Sequence, residues 1–124
     1  MQEKQDPRHL RRTKIVQGLF AASFSGDQEL DPIIMPIWTI KDKIDPIIEK
    51  TAPEWPLDKL NKIDLAILRL STYELLIEKE QPIKVIVDEA VELAKELGGE
   101  NSSSFVNGVL GTIITTEGLE GKDE

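Results

Sequence analysis

The chain contains no cysteine. That excludes disulfides, thiolate metal sites and cysteine nucleophiles together, and it fits a reducing, cytoplasmic setting. There is one histidine, His9, so the Glu-x-x-His pairs that build carboxylate metal sites between helices are absent. No glycine-rich loop cradles a phosphate, and no nucleophile elbow occurs. Acid pairs such as Asp88-Glu89 are neighbours on a helix and point in different directions, so they read as a solvated face. No apolar run reaches membrane length, and the start, Met1 to Pro7, is too polar for a secretory signal. No segment alternates with a period of two. These absences point away from an enzyme, a metal protein, a membrane protein and a β fold. No catalytic residue, metal or cofactor is expected.

What is present is helix-forming material. Of 124 residues, 40% are hydrophobic and 31% charged, enough for one domain with a proper core. The domain is expected to span residues 1–124, with 1–6 and 117–124 as frayed tails. Leu60 to Leu76 is apolar nearly all round and free of glycine and proline, which marks a buried central helix. Asp64, Arg69 and Glu74 interrupt it and need partners or an exit to solvent.

Three Asp-Pro pairs (6–7, 31–32, 45–46) each suit a helix start, with Asp as cap and Pro at the first position. A first helix is predicted from Pro7 to Phe24, striped by Ile15, Val16, Leu19 and Phe20 and ended by Gly26 and Asp27. Residues 31–50 predict two short helices or one kinked at Pro46. Residues 51–57 read as a connection pinned by Trp55. After the central helix, Pro82 opens a helix with Ile83, Val87, Ala90, Ala94 and Leu97 at helical spacing. Gly98-Gly99 stops it. A last helix begins with Ser102 or Ser103 as cap and carries Phe105, Val106, Val109, Leu110 and Ile113. Gly108 inside it suggests close packing on the central helix. The fold class is all-α.

Net charge is −8, but unevenly placed. Residues 1–20 carry five Lys and Arg against two acids, a net +3, so the remainder carries −11. A basic end on an acidic body suggests two surfaces with different clients. Arg8, Arg11 and Arg12 in the first turns of a helix oppose its dipole, whereas an anion there would be favoured. Phosphate of a nucleic acid fits arginine's bidentate geometry, and a solubilising charged end is the plainer alternative. Phe105 could stack on an unstacked base or simply head the core stripe.

Taken together the motifs resemble the NusB family of transcription antitermination factors. The resemblance rests on Ile63-Asp64-x-x-Ile67-Leu68-Arg69-Leu70-x-x-Tyr73-Glu74-Leu75, on Lys84-Val85-x-x-Asp88-Glu89-Ala90, on Phe105-Val106-Asn107-Gly108-Val109-Leu110, and on Arg8 and Arg12 ahead of Gln17-x-Leu19-Phe20. It implies a compact bundle of about six to seven helices in two small subdomains, without enzymatic activity. It implies binding of boxA-type single-stranded RNA in nascent ribosomal RNA transcripts, together with the ribosomal protein NusE, within an antitermination complex on RNA polymerase. Carried over by position, Arg8, His9, Arg11, Arg12 and Lys14 would meet RNA, Phe20 would support that surface, and Asn101 and Phe105 would lie on it. Asp64 and Glu74 on the central helix would face NusE. A homodimer that hides the RNA surface is compatible with the resemblance.

The basic run is thinner than the family's. His9 and Leu10 stand within it, and Thr13 replaces the usual acid, so RNA binding would lean on NusE. A scaffold that keeps the fold without RNA binding is the alternative. A NusB-like domain also occurs fused to RNA cytosine methyltransferases, but this sequence has no catalytic cysteine and no room for a cofactor domain.

Overall fold

The computed structural model describes residues 6–26, 30–51 and 56–121. Two of the three Asp-Pro pairs start helical segments. Asp6 caps α1 (Pro7–Ser25), its carboxylate accepting from the Arg8 N–H at 2.9 Å. Gly26 ends α1 with φ +71°. Asp31 likewise caps a 3-10 turn, Pro32–Ile34, by accepting from the Ile33 N–H at 2.9 Å. A single turn follows, α2 (Met35–Trp38).

The third pair behaves differently. Asp45-Pro46 lies inside α3 (Lys41–Thr51), and the break falls between Trp38 and Lys41. Of the two arrangements the sequence allows, two short helices form. Pro46, in the middle of α3, forfeits the bond to Asp42 C=O without ending the helix. The Asp45 carboxylate does not cap, because Arg69 holds it with two hydrogen bonds, at 2.9 and 2.8 Å.

The central helix is as the all-round apolar pattern requires. Asn61 caps it, accepting from Ile63 N–H at 2.8 Å and Asp64 N–H at 3.3 Å. α4 (Lys62–Tyr73) continues into a widened π turn, Glu74–Glu78, and Lys79 closes it in the left-handed region with φ 56°. Every residue from Asp64 to Thr72 is buried. α5 (Ile83–Leu97) stops at Gly98, and α6 (Ser102–Thr116) follows. Helices α1, α3, α5 and α6 all pack on α4. Val16, Leu19, Ile34, Ile44, Ile48, Ile67, Leu68, Ile86, Leu93, Leu110 and Ile113 form the enclosed centre. Among the described residues no strand occurs, and no helix is long and apolar enough to cross a membrane.

Several local expectations are corrected. Gly108 is exposed, and a Cβ there would meet nothing within 4 Å. The buried side of α6 is Val106, Val109, Leu110 and Ile113, which leaves Gly108 facing away. The close approach lies at Gly18 instead, where a Cβ would stand 2.8 Å from Ile34 Cγ2. Asn101, not a serine, occupies the cap position of α6, and Ser102 Oγ accepts from the Gly99 N–H at 2.9 Å. The chain does not fray at once after α6. Gly118, with φ +69°, lets Leu119 N–H return to Ile114 C=O at 2.9 Å, and Leu119 packs on the core. Trp55, Asp27 and residues 1–5 and 122–124 lie outside the described residues.

Candidate nucleic-acid interface

The helical period divides the basic run of α1 into two faces. Arg8, Arg11 and Lys14 project outward and are exposed. His9 and Arg12 continue the buried line of Val16 and Leu19, and each is only 6% exposed. They meet acids from two other helices. His9 Nδ1 lies 2.8 Å from Glu89 Oε1 and Nε2 lies 2.9 Å from Glu96 Oε1. Arg12 Nε donates to both oxygens of Glu74, at 3.0 and 3.2 Å, and its guanidinium lies 3.6 Å from Glu89. Of the five basic residues expected to meet RNA, three are therefore exposed and two, His9 and Arg12, are buried. These two hold α1 to α4 and α5.

The electrostatics follow from this burial. Burial alone would lower the His9 pKa, but hydrogen bonds to Glu89 and Glu96, with their charges, outweigh it and hold the ring above its ordinary value. Burial pushes the Glu74 carboxyl up, and Arg12 pulls it part of the way back.

Arg8 and Arg11 border a cleft of about 290 Å³ between α1, residues 32–38 and the end of α4. Arg8, Arg11, Ile33, Pro36, Tyr73 and Glu78 line it. Arg8 reaches Gln81 Oε1 at a long 3.5 Å. Burial raises the Tyr73 hydroxyl pKa, Glu78 and Glu80 add to this, and Arg11 opposes it. On the other side of Arg11, a hollow of about 340 Å³ is lined by Pro7, Leu10, Lys14 and Ile33. The helix N-terminus itself is taken by the Asp6 carboxylate, so it is not the open anion site the sequence suggested.

The other predicted residues lie elsewhere. Phe20 is half-buried against the core, twelve residues and so about 18 Å along α1 from Arg8. It packs edge-on to Phe24, ring centres 5.0 Å apart. Phe24 is 66% exposed, with Lys62 Nζ 6.0 Å from its ring, a pairing that sequence reasoning missed.

Exposed Asn101 and half-buried Phe105 line a pocket of about 350 Å³ with Lys59, Asn61, Asp64 and Ser102. Asp64 is 7% exposed, and among the described residues no donor meets its Oδ1. Burial raises its pKa, and a hydrogen bond with Ser102 partly offsets that. Glu74 is 8% exposed. The expected outward-facing pair on the central helix is thus corrected, because α4 has no solvent face along this length. Asp64 and Glu74 are ten residues, about 15 Å, apart on α4, so the Arg12 and Asn101 regions sit towards opposite ends of that helix. Among the described residues, no group of three or more His, Cys, Asp or Glu could hold a metal ion.

Comparison with known proteins places this geometry in a family. The NusB family model matches residues 28–115. The chain is 47% identical over 92 residues to the transcription antitermination protein NusB of Roseiflexus sp. (strain RS-1), covering 73% of this chain and 65% of that protein. It is 48% identical over 85 residues to the protein of the same name from Chloroflexus aggregans (strain MD-66 / DSM 9485), covering 67% and 57%. The chain therefore spans about 57–65% of the length of these curated relatives. Among solved structures, T. maritima NusB matches with a TM-score of 0.80 and 36% identity, over 88% of this chain and 91% of that one. The family match begins beyond α1, and the fold match covers most of both chains; on both grounds the chain belongs to the NusB family.

Proposed function

We propose that this chain is a non-enzymatic, cytoplasmic transcription antitermination factor. It binds boxA-type single-stranded RNA of ribosomal transcripts together with the ribosomal protein NusE, as part of an antitermination complex on RNA polymerase. The observation that carries the reading is the row of Arg8, Arg11 and Lys14, exposed on the outer face of α1. Guanidinium groups there can engage phosphates in bidentate fashion. Phe105 and Asn101, beside an open pocket, offer a stacking surface and an amide for an unpaired base. For a basic ribosomal protein, the exposed acids Asp88 and Glu92 of α5 are better placed than buried Asp64 and Glu74.

The test is fluorescence anisotropy with a short boxA-like RNA, with and without NusE, at two salt concentrations. Salt-sensitive binding that tightens with NusE and weakens in an Arg8→Ala/Arg11→Ala double variant supports the reading. The scaffold alternative is favoured by one observation, the withdrawal of His9 and Arg12 from the surface. Capture of NusE with no RNA binding under either condition would establish it instead.

A further inference from the structure

We infer that His9 is a positioning residue, held as an imidazolium between Glu89 and Glu96, and that this bridge sets the placement of the basic face of α1. Both ring nitrogens lie within 2.9 Å of a carboxylate oxygen, and the two oxygens belong to different side chains. A neutral imidazole has one N–H and one lone pair. One of its nitrogens would then face a carboxylate oxygen with no proton between them. The imidazolium donates at both, and two charge-assisted bonds result.

The surroundings favour the charged ring. On α1 the next inward group is Arg12. On α5 the facing groups are Glu89 and Glu96, and on α4 it is Glu74. With His9 charged, two cations meet three carboxylates. Without its proton, one cation meets three in a largely buried patch. Glu96 depends on the ring most, because among the described residues its Oε2 has no donor. Arg8 and Leu10 flank His9 directly, and Arg11 stands two residues on, within the same turn. A ring pinned at both nitrogens therefore fixes the rotation and height of the turn that displays Arg8 and Arg11.

The sign of the linkage follows. The bridge stabilises the protonated ring, which raises its pKa in the folded chain. Its contribution to stability is complete below the ordinary value of 6.5 and is lost as pH rises through the higher, folded value. The effect on RNA rests on the function proposed above, whereas the bridge itself does not.

His9 is the sole histidine, so its ring resonances need no assignment by mutation. Long-range proton–nitrogen NMR of the full chain from about pH 6 to about pH 9 reads the ring directly. The expected result is two protonated nitrogens at neutral pH, with the backbone amides of Arg8 and Arg11 shifting at the same midpoint as the ring. RNA anisotropy over that range should weaken through that midpoint in the wild type. It should be weak and flat in His9→Gln, and stronger and flat in His9→Lys, which keeps the charge. A ring nitrogen unprotonated at neutral pH would overturn the inference. So would Arg8 and Arg11 amides that ignore the ring's titration, or RNA profiles that superimpose for wild type and His9→Gln. If RNA fails to bind at every pH, the functional reading falls, and the NMR titration still decides the bridge.

Discussion

Truncating Arg12 to alanine separates a structural arginine from a ligand-binding one. Arg12 is 6% exposed and gives both Glu74 oxygens a hydrogen bond, while Glu74 is itself 8% exposed. Arg12→Ala leaves that carboxylate buried and uncompensated, and it removes a second cation, 3.6 Å away, from Glu89. Breaking a buried pair from one side costs about 3–5 kcal/mol. Unfolding entropy for 124 residues is about 0.26 kcal/mol/K, at roughly 2.1 cal/mol/K per residue. A loss of about 3 kcal/mol then lowers the melting temperature by about 12 °C. Thermal unfolding followed by circular dichroism reads this directly, with Arg8→Ala as the exposed control that leaves the melt unchanged. An Arg12→Met/Glu74→Leu double variant should regain most of the loss, because a packed apolar pair removes both desolvated charges. A single Arg12→Ala that melts with the wild type while losing RNA affinity would refute the assignment and return Arg12 to the surface.

Gly108→Ala should stabilise the chain by up to about 1 kcal/mol, since the site is exposed, helical and open; a lower urea midpoint would contradict the placement of that face. Gly18→Ala should do the opposite despite the same helix propensity, because its Cβ would sit 2.8 Å from Ile34 Cγ2; overpacking costs about 1–3 kcal/mol, and an unchanged melt would show that Ile34 yields freely. Asp64→Asn should raise the melting temperature near neutral pH. Burial lifts the Asp64 pKa, so the ionised form is disfavoured in the folded chain, and the gain should vanish as pH falls and Asp64 itself protonates; a gain independent of pH would mean the carboxylate charge is not its source.

Much of the fold was legible because the apolar period carries it. The buried residues of α4 form no single stripe, and that alone identified the central helix. Two Asp-Pro caps were legible because capping is local. Asp45-Pro46 was not, since its carboxylate is claimed by Arg69 on another helix, 24 residues away. The division of the basic run was present in the spacing. The line of Leu19 and Val16, extended backward, runs through Arg12 and His9. It was obscured because residue type changes from apolar to basic, and the glutamates that make burial of the cations tolerable come from α4 and α5. No local pattern marks such partners. Gly108 misled for a related reason: a glycine in a helix signals close approach only if it lies on the packed side.

The two-faced α1 also limits how the chain can exchange ions with a polyanion. Only cations free to replace condensed counterions release them, and those locked to glutamates release none. On the function proposed above, exposed Arg8, Arg11 and Lys14 would give a slope of log affinity against log salt from this face of about −2 on single-stranded RNA, not the roughly −3.5 that five cations would give. Affinity contributed by α1 alone would then be modest and comparatively tolerant of salt. A second protein contributing its own cations would steepen the slope as well as tighten the complex.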